Sequence, residues 1–94
     1  MQFEYKNSFY RSLEALRSTE RKEAIRLTLK EFILAIDRGG PLPYGTGLKR
    51  LRKNFYEIRS GLGDRVVYRR QGGLIEFVLV GNHDEIKRFL RGSA

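Results

Sequence analysis

The stretch LKRLRKNFYEIRSGLGDRVVYRR, from Leu48 to Arg70, joins two strand patterns to most of the chain's positive charge. It holds eight lysines or arginines against two acids, a surplus of +6 in a chain whose formal net charge is +8. Two strand patterns, Phe55 to Arg59 and Arg65 to Arg70, flank the segment Ser60 to Asp64, whose two glycines permit the positive φ angles of a hairpin loop. The stretch therefore predicts a basic β-hairpin.

Side chains on a strand alternate between its two faces. If one face of this hairpin packs on a core, that face receives Tyr56, Ile58, Val66 and Tyr68. The opposite, open face then receives Glu57, Arg59, Arg65 and Arg69. So much fixed positive charge in a small area favours a polyanionic partner.

The composition of the whole chain narrows the possible functions. With 94 residues, the chain predicts one domain over residues 1–94, too small for a spacious internal active site. It has no cysteine and one histidine, so we expect neither a metal site nor a cofactor. It lacks a signal-peptide pattern and a run of about 18 apolar residues, so we expect a cytoplasmic protein without membrane contact.

The first half of the chain predicts a short strand followed by two helices. Gln2 to Lys6 alternates apolar and polar residues and could pair at a sheet edge. Ser8 is a candidate N-cap for a first helix that ends near Arg17. A second helix is expected from Ser18-Thr19 to about Asp37, with apolar residues at helical spacing.

The second half predicts a buried strand and a last helix around the hairpin. Gly39-Gly40 ends the second helix, and Pro41 to Gly47 is a loop by composition. The run Leu74 to Val80, LIEFVLV, is typical of a strand buried on both faces. Asp84 can cap a final helix that carries Ile86, Phe89 and Leu90 on its apolar side. We therefore expect an α+β two-layer sandwich, a small, mostly antiparallel four-stranded sheet with a helical pair on one face, in the order β-α-α-β-β-β-α.

This order and three local patterns resemble the RelE/ParE superfamily, the toxins of bacterial type II toxin–antitoxin pairs. The patterns are Phe55-Tyr56-Glu57-Ile58-Arg59, Arg65-Val66-Val67-Tyr68 and the strand ending Val80-Gly81-Asn82-His83. The resemblance covers nearly the whole chain. It implies an antitoxin partner for the protein. In the RelE branch it also implies cleavage of messenger RNA on the ribosome, and in the ParE branch poisoning of DNA gyrase.

The resemblance to the RelE branch also assigns a site. It places catalytic positions on Arg59, Arg65 and His83, while Glu57 stands where that branch can carry a lysine. Phe89 stands where active RelE-like nucleases often have a tyrosine, so this chain lacks that hydroxyl. The remaining cations of the basic stretch are expected to bind RNA: Lys49, Arg50, Arg52, Lys53 and Arg69.

Metal-free RNA cleavage is chemically consistent with these residues. The RNA 2′-hydroxyl attacks the phosphate, so the protein must supply a proton acceptor, a proton donor and cations. Arg59 and Arg65 can each bind two phosphate oxygens through the planar guanidinium. Glu57 among arginines is better suited to hold an arginine in place, which leaves His83 as the acid/base candidate.

Three functions remain open at this stage. The first is a ribosome-dependent endoribonuclease toxin, which the charge concentration on the hairpin favours. The second is a gyrase poison of the ParE kind, which would act through its helices. The third is an attenuated toxin that retains only antitoxin binding, which the missing tyrosine hydroxyl favours.

Overall fold

The computed structural model describes residues 1–39, 47–61 and 63–92. Within these residues the chain forms β1 (Gln2–Tyr5), α1 (Asn7–Glu14), α2 (Thr19–Arg38), β2 (Lys49–Arg52), β3 (Phe55–Ser60), β4 (Asp64–Gln71), β5 (Leu74–Gly81) and α3 (His83–Gly92). The loop predicted from Pro41 onward lies outside the described residues except for Gly47. No helix of the described ranges is long and apolar enough to cross a membrane.

The strands form one sheet in the order β1-β5-β4-β3-β2. β1 runs parallel to β5, and the other neighbours are antiparallel. The predicted α+β class and the mostly antiparallel sheet are confirmed. The predicted strand count was wrong, because the described residues contain five strands rather than four.

The additional strand is β2, which comes from the first part of the basic stretch. It pairs with β3 through a tight turn in which Lys53 adopts φ 46°. Three of its four residues are basic, so it lacks the apolar alternation that marks a strand in a sequence. Lysine and arginine are nevertheless common on edge strands, where they discourage pairing with another chain.

The main core lies between the sheet and the helical pair α1 and α2. Its buried members are Phe9, Ile25, Leu29, Phe32, Ile58, Val66, Tyr68, Ile75, Phe77 and Val80. Ile58 and Val66 are fully buried here, as the alternation predicts. Tyr56 is partly buried against the same core and stacks on Tyr68, with ring centroids 5.3 Å apart.

The face predicted to be open is partly covered by α3. Val67, Val78 and Ile86 form a second buried cluster there, joined by Phe55 and Phe89 among others. The amphipathic α3 must bury its apolar side, and this face offers apolar residues in the middle of the sheet. The expectation of a wholly open face was therefore wrong, because α3 covers the apolar middle of this face.

A β-bulge in β5 allows consecutive residues of this strand to join both the main core and the second buried cluster. Val67 pairs with Leu79 and Tyr68 with Phe77, so Val78 has no partner in β4. The extra residue shifts the alternation by one position. Phe77 and the residue after Leu79, Val80, therefore both face the main core, while Val78 and Leu79 both face α3.

Beyond the end of β1, the edge of β5 forms hydrogen bonds with side chains of helix α1. Ser8 Oγ donates to the Val78 carbonyl at 2.5 Å, and Ser12 Oγ accepts from the Val80 amide at 2.9 Å. Ser8 was predicted as the N-cap of α1, but the helix begins at Asn7 because this hydroxyl is used by β5. The helix also ends at Glu14, before the predicted Arg17.

The ends of the other helices follow local chemistry. Ser18 Oγ accepts from the Arg21 amide at 3.1 Å, and Gly39 closes α2 at φ 68°, as the sequence predicts. The predicted cap at Asp84 was wrong by two residues. Asn82 Oδ1 accepts from the Glu85 amide and Glu85 Oε1 accepts from the Asn82 amide, both at 2.9 Å, which is a reciprocal capping box.

Candidate functional site

Two arginines from the hairpin stand side by side on the face that carries α3. Arg59 of β3 is the Cα partner of Arg65 in β4, and Arg65 is in turn the partner of Gly81 in β5. Directly opposite residues of antiparallel strands project to the same face. Gly81 has no side chain, and Glu85 of α3 packs closely against it.

A buried carboxylate fixes one of these arginines. Glu57 is 6% exposed, and its Oε2 lies 3.3 Å from Arg65 Nε. This Nε is itself buried and has no hydrogen-bond partner among the described residues. About a quarter of the Arg65 side chain is exposed, so the exposure falls on its other atoms, which leaves part of the side chain accessible to a ligand.

Lys49 and Gly47 complete the surroundings of the two arginines. Lys49 is the partner of Glu57, so it shares the same face. Gly47 has φ 65°, and a Cβ built on it would lie 3.0 Å from Arg59 Cβ and 3.3 Å from Arg59 Nε. A side chain at position 47 would therefore displace Arg59. We call Lys49, Arg59 and Arg65, with Glu57, the cation cluster; its formal charge is three cations less one acid, +2.

His83 begins α3 beside this cluster. It follows two residues after Gly81, the β5 partner of Arg65, so the Cα atoms of His83 and Arg65 lie within about 13 Å. A Cβ on Gly81 would lie 3.1 Å from Glu85 Cβ. The first turn of α3 therefore packs closely on Gly81, the strand partner of Arg65. The His83 side chain is 59% exposed, with Nδ1 3.8 Å from Asp84 Oδ1. Its imidazole is therefore accessible from solvent.

The predicted RNA-binding stretch from Lys49 to Lys53 does not form one patch. Arg50 pairs with Tyr56 on the face of the helical pair, whereas Lys49 pairs with Glu57 on the face of α3. Arg50 Nε also donates to the Lys53 carbonyl at 2.7 Å. Arg52 is exposed at the end of β2. Alternation along the strand therefore divides these cations between two surfaces.

Arg69 lies at the far end of the same face, away from the cation cluster. Its Nε and Nη2 donate to Glu76 Oε1 at 2.8 Å and 2.6 Å. The other oxygen, Glu76 Oε2, lies 3.0 Å from Lys6 Nζ. Neither Glu76 nor Lys6 was predicted from the sequence as a site residue. The sequence does contain a signal for this ion pair, the single acid in LIEFVLV. A carboxylate in a buried strand requires cationic partners.

Glu76 links the stability of the fold to pH. Burial raises the pKa of the Glu76 carboxyl, but hydrogen bonds from Arg69 and Lys6 outweigh this and bring the pKa below its ordinary 4.5. A depressed pKa in the folded state stabilises the fold above pH 4.5, and this contribution disappears as the pH falls through the folded value.

Glu76→Gln should therefore make the free energy of unfolding less dependent on pH in the acidic range. The free energy of unfolding of the wild type should fall as the pH drops below the ordinary pKa of 4.5, and that of Glu76→Gln should fall less. Urea unfolding at several pH values measures both slopes. Glu23→Gln, in an exposed pair with Arg26, serves as the control and should keep the wild-type slope. Equal slopes in Glu76→Gln and the wild type would contradict this assignment.

Two aromatic residues near the site are structural in character. Burial raises the pKa of Tyr68 to about 12, so its hydroxyl stays protonated near neutral pH and cannot act as a base there. Phe89 packs edge to face on Phe55, with ring centroids 6.0 Å apart. It lies on the covered side of α3 and carries no hydroxyl.

The tip of the hairpin is anchored to α2. Arg21 Nε and Nη2 donate to the two oxygens of Asp64 at 2.9 Å and 2.6 Å. Asp64 is 7% exposed, so this bidentate pair is partly shielded from water. It fixes the end of the hairpin on which Arg59 and Arg65 stand.

The fold is that of known toxins. The chain superposes on a chain of the RelB–RelE antitoxin–toxin complex of Methanococcus jannaschii with a TM-score of 0.69 at 19% identity, over 92% of this chain and 96% of the other. It superposes on a chain of the Escherichia coli DinJ–YafQ complex with a TM-score of 0.68 at 18% identity, over 90% and 96%. For the YoeB dimer of Staphylococcus aureus the values are 0.63, 17%, 88% and 97%. No protein-family model matches the chain, and no curated protein matches it in sequence. At these identities the likeness establishes the fold.

Proposed function

Because the chain has the fold of the RelE-like toxins, we propose that it is the toxin of a toxin–antitoxin pair and cleaves messenger RNA on the ribosome in the cytoplasm. The observation that carries this proposal is the row of Arg59 and Arg65, adjacent on one face, with His83 two residues after Gly81, the β5 partner of Arg65. An exposed Arg59, a partly exposed Arg65 and an exposed imidazole suit a phosphate group that must be held while a proton moves.

The proposed reaction uses only groups of the RNA and of this chain. The RNA 2′-oxygen attacks the adjacent phosphorus as its proton leaves, and the bond from phosphorus to the 5′-oxygen breaks. The products are a 2′,3′-cyclic phosphate and a 5′-hydroxyl. Arg59 and Arg65 stabilise the added negative charge on the phosphorane, because guanidinium groups are fixed cations. His83 accepts the proton of the 2′-hydroxyl and, as the imidazolium, delivers a proton to the leaving 5′-oxygen.

Glu57 has a positioning role in this scheme. Its carboxylate is buried and its Oε2 lies 3.3 Å from Arg65 Nε. A base must reach the RNA, and a buried carboxylate beside an arginine is poorly placed to do so. Glu57 instead limits the orientations of Arg65, so that less conformational freedom is lost when the phosphate binds.

Inducible expression in bacteria tests the activity. Expression without an antitoxin should arrest growth and create new messenger RNA 5′ ends inside translated codons. Sequencing of RNA ends before and after induction measures this, with Arg65→Ala as the inactive comparison. Soluble protein that leaves both growth and RNA ends unchanged would exclude the endoribonuclease. Induction of a DNA-damage response without new ends would indicate a gyrase poison.

A specific observation supports the attenuated toxin as the second candidate. The Phe89 ring packs on Phe55 and offers no hydroxyl to the site. A chain that retained only antitoxin binding would still bind a partner and would show no new RNA ends. The same experiment separates the two, provided that a complex with the antitoxin is also measured.

A groove beside α2 supports the proposal of an antitoxin partner. It has a volume of about 480 Å³ and is lined mainly by apolar residues of β1, α1 and α2: Tyr5, Phe9, Tyr10, Leu13, Ile25, Leu29, Ile33 and Leu34. Because α1 has eight residues and α2 has 20, much of α2 extends past its neighbour. Lys22, Arg26 and Lys30, spaced by four residues on α2, also line the groove. We infer that the antitoxin presents an acidic amphipathic helix here.

Leu34→Asp should weaken the complex with the antitoxin. Leu34 lines the groove and is 41% exposed, so the substitution should not unfold the protein. Loss of its burial in the complex costs about 2 kcal/mol, roughly a thirtyfold weaker Kd. Titration calorimetry with the product of the adjacent gene measures this. Leu27→Asp is the matched control, since Leu27 is 57% exposed on the same helix outside the groove lining. Equal weakening in both variants would show that the antitoxin does not bind in this groove.

A further inference from the structure

A second cationic cleft lies where the β1–α1 corner meets the face that carries α3. It has a volume of about 510 Å³, and its lining combines polar, cationic and aromatic side chains: Lys6, Asn7, Ser8, Arg11, Phe55, Arg69, Val78 and Phe89. We call it the corner cleft. Its three cations come from positions 6, 11 and 69, so no local sequence pattern unites them. The cleft is distinct from the cation cluster around Arg65.

Two of the three cations of the corner cleft, Lys6 and Arg69, are held in place before any ligand binds. Glu76, with a side chain 5% exposed, accepts two hydrogen bonds from Arg69 and lies 3.0 Å from Lys6 Nζ. A guanidinium has five N–H donors, so Arg69 retains three for a ligand. Arg11 forms no ion pair with a described residue. Even with the exposed Glu4, 3.8 Å from Lys6, three cations face two acids and the cleft keeps a positive charge.

Aromatic rings form part of the same cleft. Phe55 and Phe89 are both partly exposed and meet at an interplanar angle of 81°. Proteins that bind single-stranded nucleic acid combine cations along the backbone with aromatic side chains on which bases stack. An acidic peptide would use the cations and leave the aromatic surface without a matching group. The combination therefore favours a nucleotide.

The position of the cleft relative to the cation cluster suits one continuous ligand. Arg65 and Arg69 project from the same face of β4, four residues apart, which is about 13 Å along the strand. They stand at opposite ends of the surface that α3 covers. A short single strand of RNA held at Arg65 can span this distance.

We propose that the corner cleft is a second subsite for single-stranded RNA, in which Arg11, Lys6 and Arg69 bind a backbone phosphate and Phe55 and Phe89 contact a base. The inference rests on the proposed function, because it extends the RNA surface of the cation cluster. It assigns an RNA contact to the first 11 residues of the chain, which lie far from the basic stretch in sequence.

Salt-dependent binding of a labelled eight-nucleotide uridine RNA tests the subsite. Fluorescence anisotropy of the isolated protein at several KCl concentrations gives the slope of log K against log salt. Each phosphate contact on single-stranded nucleic acid contributes about 0.7 to this slope. Arg11→Ala should therefore lower the slope by about 0.7 and weaken binding roughly fourfold at 0.15 M salt. Arg38→Ala, an exposed arginine at the end of α2, removes the same charge and should leave the slope unchanged.

The outcomes separate this subsite from the proposed function. An unchanged slope in Arg11→Ala, with a reduced slope in Arg65→Ala, overturns the corner cleft and leaves RNA binding at the cation cluster. A reduced slope in Arg11→Ala supports the cleft even if no cleavage of messenger RNA on ribosomes is found. Equal losses in Arg11→Ala and Arg38→Ala indicate nonspecific charge and overturn it. Binding of a polyglutamate peptide that depends on Arg11, without such dependence for RNA, assigns the cleft to a protein and also overturns it.

Discussion

Arg65→Ala should lower the rate of messenger RNA cleavage on ribosomes by about 10²- to 10³-fold. Removal of one fixed donor that stabilises charge in a transition state costs about 3 to 4 kcal/mol. Arg65 is suited to this role because it pairs with Arg59 across the hairpin and lies against the buried Glu57. Single-turnover cleavage by purified protein on programmed ribosomes measures the rate.

Two further variants distinguish a phosphate ligand from a general cation at this position. Arg65→Lys should recover only part of the activity, because an ammonium group lacks the planar pair of donors. Arg38→Ala should cleave at the wild-type rate, since Arg38 is exposed at the end of α2. Thermal unfolding of each variant shows whether the fold persists, which matters because Arg65→Ala leaves Glu57 without its ion pair. A folded Arg65→Ala that cleaves normally would place the site elsewhere.

His83→Gln should lower the cleavage rate about 10²-fold while ribosome binding is retained. General acid–base catalysis contributes about 10² to 10⁴, and glutamine keeps the polarity of histidine without its proton exchange. The His83 side chain is 59% exposed at the start of α3, so its replacement should not disturb the core. Loss of rate without loss of binding distinguishes His83 from Arg65, for which both should fall.

The pH dependence of the rate gives a second readout for His83. A histidine that exchanges a proton in the reaction produces a limb in the profile of rate against pH. This limb should be absent in His83→Gln and present in Arg38→Ala. Wild-type rates in His83→Gln would make the histidine structural, and the reaction would then depend on the arginines alone.

The sequence was sufficient to predict the hairpin and the arginine row. Side chains alternate between the two faces along Phe55 to Arg59 and Arg65 to Arg70. If Ile58 and Val66 face the core, Arg59 and Arg65 must lie together on the other face, as they do. Register in a hairpin is set by its loop, and Gly61 at φ 64° provides the turn. Local chemistry was therefore enough for this part of the candidate site.

Other features depend on contacts that local patterns do not carry. In LIEFVLV nearly every residue is apolar, so either alternation is acceptable and the bulge at Val78 leaves no sequence signal. β2 is defined by its pairing with β3 and by the φ 46° of Lys53, a conformation more typical of glycine or asparagine. The grouping of Lys6 with Arg69 requires the parallel pairing of β1 with β5, which joins the two ends of the chain.

The hydrogen bonds of the Ser8 and Ser12 hydroxyls also constrain the order in which parts of the protein can fold. Their partners, Val78 and Val80, are 70 and 68 residues away in the chain. Contacts of such long sequence separation form late, because the intervening chain must first be ordered. During synthesis, α1 must therefore wait for β5, and it cannot form these two hydrogen bonds until Val80 has been added. The corner that β1 and α1 form is completed only after β5 has left the ribosome.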